Sequence, residues 1–98
     1  FELSEEASEA LTWESTSQVV SKWKELLEQL PNDYLSAEQF AELQNQVKDE
    51  CGVKGKHLFM PIRVAVIGKP HGAELQTLVP LLNKSDLIFR AKKVLEKL

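Results

Sequence analysis

Between Cys51 and Ala73 the chain carries no acidic residue, while Lys54, Lys56, Arg63 and Lys69 all fall inside that window. Cations with no counter-charge on their own stretch create a positive potential that attracts a polyanion. Leu58, Phe59 and Met60 interleave with them, and a mixture of cationic and flat apolar groups suits a nucleic acid, whose phosphates take the charge and whose bases take the apolar contact. The remaining reactive side chains suggest little chemistry. Cys51 is the single cysteine, so it closes no intramolecular disulfide and begins no Cys-based zinc site. His57 and His71 are the two histidines, and neither has a carboxylate at a metal-ligand spacing such as HExxH. There is no Gly-rich phosphate loop and no GxSxG elbow. The sequence therefore assigns no catalytic residue and no metal ligand, and Cys51, at the end of an apolar helical stripe, reads as core.

The charge of the whole chain conceals the division that makes this window matter. Residues 1–50 hold three basic against twelve acidic residues, a charge of −9, and residues 51–98 hold nine basic against three acidic, a charge of +6. Either the basic half is a surface for an anionic partner, or the two halves neutralise each other across their contact. With 98 residues the chain supports one modest core, so a single domain over 1–98 is expected, with an acidic helical part over about 1–51 and a basic part over about 52–98. No apolar run approaches the roughly 20 residues that span a bilayer, and the acidic opening lacks the layout of a secretory signal. With the lone cysteine, this leads us to expect a cytoplasmic setting and no membrane partner.

The elements that must position these residues are helical throughout. Val19, Val20, Trp23, Leu26, Leu27 and Leu30 recur at three- and four-residue steps, which predicts a helix over about 16–30, opened by a Ser15-x-x-Gln18 capping box and closed by Pro31. Ser36-x-x-Gln39 predicts a second box, followed by Phe40, Leu43, Val47 and Cys51 on one face of a helix over about 37–50, with Gly52 as its C-terminal cap. A short helix around Leu3, Ala7, Ala10 and Leu11 is expected before these. Gly52 to His57 reads as a basic loop. Arg63-Val-Ala-Val-Ile67 has β-branched content, yet Leu58, Phe59, Ile62, Ala65 and Val66 share an arc of about 120° on a helical wheel. A helix over 58–67 is therefore expected, with Pro61 in its first turn, Gly68 at its end, and Phe59 and Trp23 in the core. A turn at Lys69 to Gly72 precedes a helix over about 73–82, shortened or kinked at Pro80. In the terminal helix Leu87, Ile88, Ala91, Val94, Leu95 and Leu98 form one stripe, with Arg90, Lys93 and Lys97 on the opposite face. The expected fold is all-α, a compact bundle of five to six helices.

The run Gly52-Val-Lys-Gly-Lys-His-Leu-Phe-Met-Pro-Ile-Arg-Val-Ala-Val-Ile-Gly68, followed by His71-Gly-Ala-Glu-Leu75 and Leu81-Leu-Asn-Lys84, closely resembles the C-terminal part of bacterial-type glutamyl-tRNA synthetases. Those enzymes show Lys-Gly, Leu-Phe, Pro-x-Arg, Ala-Leu-Thr-Gly, Gly-Pro-x-Leu and Leu-Leu-Gly-Lys in the same order. Residues 52–98 carry the match, and residues 1–51 agree in helical character and order. Ile67, Ala73 and Asn83 stand where the family usually has Thr, Pro and Gly. Ile67 removes a hydroxyl, whereas Asn83 is compatible with a left-handed helix end.

The resemblance implies an anticodon-binding helical domain whose partners are the anticodon stem-loop of glutamate tRNA and the remaining domains of a parent synthetase. It also implies a catalytic Rossmann domain outside this sequence. Phe1 in place of Met agrees with a piece cut from a longer chain. The parent is expected to use ATP and Mg²⁺ to attach glutamate to tRNA, this part needs no cofactor, and a monomer is expected. Carried over by position, Arg63 is the anticodon-contacting arginine, whose planar guanidinium can donate to the O2 and N3 acceptors of an unstacked cytosine. Gly72, Ala73 and Leu75 form the second base-contacting group, and Lys54, Lys56 and Lys69 suit phosphates. Leu75 is also compatible with core, Arg63 with an ion pair to the acidic half, and Trp13, outside any stripe, with a domain interface. A different class of function, a helical protein-interaction module whose acidic half meets a basic partner, fits the same composition. Supplied with glutamate, ATP and tRNA, the isolated 98-residue chain is expected to release no pyrophosphate; adenylate formation by the pure protein would contradict the absence of a nucleotide site.

Overall fold

The structure, a computed structural model, describes residue 9, residues 11–68 and residues 74–98. Among these residues it is all helix and turn: α1 (Glu14–Glu28), α2 (Ala37–Cys51), α3 (Lys56–Ile67), the single turn α4 (Leu75–Leu78) running into a 3₁₀ turn (Val79–Leu81), and α5 (Lys84–Glu96). The opening helix expected around Leu3 to Leu11 lies outside the described residues, apart from Glu9 and Leu11. No described helix is long and apolar enough to cross a membrane.

α1 buries Val19, Val20, Trp23, Leu26 and Leu27, the stripe its spacing predicts, and with it packs against α2, α3 and α5. Its start differs from expectation. Trp13 is the N-cap, with no side-chain cap bond, so Ser15 lies inside the first turn and forms no capping box. The Ser15 hydroxyl is buried without a partner among the described residues. Trp13 is held from outside the helix, its ring 4.6 Å from that of His57, and this contact rather than the local Ser-Gln signal sets where α1 begins. The far end follows the sequence. The Gln29 N–H donates to the Leu26 carbonyl and the Leu30 N–H to the Leu27 carbonyl, each at 3.2 Å, closing the helix at Gln29, two residues short of Pro31, whose ring disfavours helical backbone at Leu30.

α2 is bounded by two local signals. The Gln39 N–H donates to Ser36 Oγ at 3.1 Å, and the Ser36 N–H donates to Gln39 Oε1 at 3.0 Å. At the other end Gly52, at φ 66°, turns the chain into the left-handed region and donates to the Lys48 carbonyl at 2.9 Å. Cys51 is half-buried where α2 meets α1, with Sγ 3.5 Å from the Gln18 carbonyl, and burial pushes its thiol pKa up. It is a packing residue, as its position implies.

The ambiguous apolar run is helical. α3 buries Leu58, Pro61, Ile62, Val64, Ala65 and Val66, a wider arc than the wheel predicted, because α1 and α5 flank it. Gly68, at φ 76°, ends it as expected. Two expectations fail here. The helix begins at Lys56, so Pro61 is its sixth residue, beyond the first turn, and the His57 carbonyl loses the N–H that would stand four residues on. Phe59, expected in the core, is 42% exposed. Phe59 lies at the edge of the buried arc, on the outward stripe with Lys56 and Arg63, where the neighbouring helices leave it partly uncovered.

Pro80 acts as its chemistry requires. With no N–H to continue the ladder, the helix expected over 73–82 is a single α turn from Leu75, tightening to 3₁₀ at Val79. Asn83 sits at φ −65° and accepts from the Ser85 N–H at 2.8 Å, so it caps the start of α5 instead of ending the preceding helix in a left-handed conformation. Arg90 departs from the solvated face assigned to it. Its Nη1 donates to the Val66 carbonyl at 2.6 Å and its Nη2 pairs with Asp86 at 3.3 Å, tying α5 to the end of α3. Lys84 ties the other end, its N–H donating to Asp33 and its Nζ to the Leu30 carbonyl, both at 2.6 Å.

These cap assignments separate under mutation. Ser36→Ala should lower unfolding free energy by about 1 kcal/mol in a urea titration, because it strips one partner from a formed capping box. Ser15→Ala should be neutral or slightly stabilising, since it removes a buried hydroxyl that has no partner. Equal losses in both variants would contradict the observed start of α1.

Candidate nucleic-acid interface

α3 is apolar on its inner face and carries Lys56, Phe59 and Arg63 on its outer one. At steps of three and four residues these side chains fall within an arc of about 60° and span about 10 Å of helix, so they form one stripe. The first turn of α3 contains no acidic residue, and its unsatisfied N–H groups add to the positive potential of Lys54 and Lys56.

The lower half of this stripe opens into a cleft of about 190 Å³. Phe40 and Gln44 of α2, Phe59 and Arg63 of α3, and Glu74, Leu75 and Gln76 at the start of α4 line it. Arg63 is the cation of the cleft. Its Nε is buried and has no hydrogen-bond partner among the described residues, where leaving such a donor unsatisfied costs about 1–3 kcal/mol. No ion pair joins Arg63 to a carboxylate among the described residues. The expected alternative for this residue, a bridge to the acidic half, is not formed there.

The same holds for the wider electrostatics. Lys22 pairs with Glu25 and Glu50, Lys24 with Glu28, Arg90 with Asp86 and Lys93 with Glu96. Each of these pairs joins two residues of the same half. The Lys22 pKa is raised, first by its hydrogen bond to Glu50 and then by the nearby Glu25, so this lysine serves to bind α1 to α2. Lys54 and Lys56 are exposed, and Lys56 Nζ lies 5.8 Å from the centre of the Trp13 ring. Trp13 and His57, with Glu14, Ser15 and Gln18, line a separate open hollow beside the start of α3.

The structure thus brings Arg63 and Leu75 to one cleft, with Lys56 two helical turns from Arg63 on the same stripe. Leu75 is a core residue, 6% exposed, whose remaining surface forms the cleft wall. Lys54 stands in the loop before α3, away from the cleft. Gly72, Ala73 and Lys69 lie outside the described residues. The sequence reading missed Phe59, Gln44 and Glu74 as cleft residues. The four-residue spacing of Phe59 and Arg63 was a visible signal for the first; the other two come from separate elements that only packing brings near.

Comparison with known proteins agrees with this geometry. The family model described as the anticodon binding domain matches residues 1–95. The chain is 61% identical over 92 residues, 94% of its length, to a glutamate–tRNA ligase of Bdellovibrio bacteriovorus, and covers 19% of that protein. It is 35% identical over 86 residues, 88% of its length, to glutamate–tRNA ligase 1 of Caldicellulosiruptor saccharolyticus, and covers 17% of it. The chain therefore spans less than a fifth of either of these curated relatives. The chain, a helical bundle matched along nearly its whole length by this family model, belongs to the anticodon binding domains.

Proposed function

We propose that the chain binds the anticodon arm of glutamate tRNA as the anticodon-binding part of a longer glutamate–tRNA ligase. The parent would attach glutamate to tRNA with ATP and Mg²⁺ in the cytoplasm, and this part would act as a monomer without a cofactor. One observation carries the reading: Arg63 lies in an open cleft with no carboxylate partner among the described residues, on the same stripe of α3 as the exposed Lys56. A guanidinium in that position has donors to offer a splayed base, while Lys54 and Lys56 at the helix start can hold the phosphates that lead to it. Phosphate contacts fix the register of the RNA, and the base contact supplies the sequence information. The names of the two relatives agree with the proposed tRNA and amino acid.

Fluorescence anisotropy of a labelled glutamate-tRNA anticodon stem-loop, titrated with the 98-residue chain across a salt series, tests the division of labour. Arg63→Ala should cost about 1–3 kcal/mol of binding and flatten the preference for cytosine at the third anticodon position. Lys54→Ala and Lys56→Ala should weaken all RNAs alike and each reduce the salt slope by about 1. Arg63→Lys keeps the charge and loses the planar fork, so it should resemble Arg63→Ala. Wild-type affinity and preference in Arg63→Lys would reduce Arg63 to a point charge and move base reading elsewhere.

A further inference from the structure

Trp13 stands outside the apolar stripe of α1, and packing against the core accounts for only part of its surface. Its ring lies 4.6 Å from that of His57, with the planes tilted by 47°, so the indole is held in place at the start of α1. The rest of the indole is a wall of the open hollow of about 380 Å³ beside the start of α3, which Gln18 and His57 also line. Lys56 Nζ lies 5.8 Å from the centre of the same ring, near the outer limit of a cation–π contact. Lys54 and Lys56 are exposed, and neither pairs with a carboxylate among the described residues.

A hollow so open suits a flat group lying on its aromatic wall better than a small apolar molecule that needs enclosure on all sides. A fixed ring beside exposed lysines matches the two parts of a nucleotide, the base for the ring and the phosphate for an ammonium group. Position supports the same ligand. Lys56 and Arg63 share the outer stripe of α3, about 10 Å apart along the helix, so the hollow and the Arg63 cleft lie at the two ends of one cationic track. We infer that the hollow is a second nucleotide subsite, in which Trp13 stacks on an unpaired base of the RNA and Lys56 turns from the ring to that nucleotide's phosphate. Every base has a π-face, so this subsite adds affinity and fixes the path of the strand without reading sequence. The inference rests on the anticodon reading above and adds to it a contact outside the cleft.

The glutamate-tRNA anticodon stem-loop, titrated into the 98-residue chain, tests this in two ways. Trp13 and Trp23 are the two tryptophans, and Trp23 is fully buried. Saturation with RNA should therefore quench the Trp13 share of the emission, whereas Trp13→Phe, which keeps Trp23 alone, should show no quenching. By anisotropy, Trp13→Leu keeps an apolar side chain but loses the ring, so it should bind about tenfold more weakly, with the preference among bases at the third anticodon position and the salt slope unchanged. Trp13→Phe should recover most of that loss. Because Trp13 sets the start of α1, far-ultraviolet circular dichroism checks that each variant is folded, and the quenching of the wild type decides the matter if Trp13→Leu is not. Saturation without a change in wild-type emission, or wild-type affinity in folded Trp13→Leu, overturns the inference and leaves the hollow as a contact for another part of a longer protein. A flattened base preference in folded Trp13→Leu overturns it as well. Failure of the wild type to bind the stem-loop would instead overturn the anticodon reading beneath it.

Discussion

The edge-on contact between Trp23 and Phe40 is the constraint on which both core and cleft depend. Their ring centres lie 5.7 Å apart with planes at 80°, and both side chains are fully buried. This arrangement places the positive edge of one ring against the negative face of the other. Trp23 belongs to the helix that packs on α2, α3 and α5, so its position sets the frame for the bundle. Its indole N–H has no partner among the described residues, a cost that the burial of so large an apolar surface outweighs. Phe40 faces two ways: one side meets Trp23 and another forms part of the cleft that holds Arg63. The core thus supplies the rigid back wall of the candidate interface.

Two polar attachments tie α5 to the rest of the bundle. Arg90 donates to the carbonyl of Val66 near the end of α3, where that carbonyl is beyond the reach of a full helical ladder. Lys84 does the same for the end of α1 through Leu30. Both cations come from the basic half and are used inside the fold, so the excess of positive charge is not uniformly available to a ligand. Among the described residues the cations outside ion pairs include Lys54, Lys56 and Arg63 before and along α3, with the exposed Lys48 on α2 and Lys92 and Lys97 in and after α5.

The placement of Arg63 also combines rigidity with exposure. It sits on a helix whose inner face is fully packed, so its backbone is fixed by Ile62, Val64, Ala65 and Val66, each wholly buried beside it. A side chain presented from such an element loses less freedom on binding than one presented from a loop. Its Nε is already screened from water and has no acceptor among the described residues.

Local interactions were legible in the sequence because they act within a few residues. The Ser36–Gln39 box, the left-handed glycines Gly52 and Gly68, the break at Pro80 and the spacing of the α1 stripe all operate inside one helical turn or its ends. The division of charge and the candidate role of Arg63, through family resemblance, were legible too. Tertiary structure decided the rest. Ser15 and Gln18 satisfy the local pattern of a capping box, but the contact of Trp13 with His57 fixes the start of α1 before them. Pro61 suits a first turn, but the helix is extended back to Lys56. Phe59 and Leu58 are equally apolar, yet only Leu58 is covered by a neighbouring helix. Arg90 looks solvated on its own wheel and becomes internal because the end of α3 offers it a carbonyl. Gln44 and Glu74 join Arg63 from α2 and α4, across about twenty and ten residues of chain, and nothing in their own neighbourhoods marks them. A helical pattern specifies which face is apolar; which part of that face is covered depends on helices distant in sequence, and the cleft is where that covering stops.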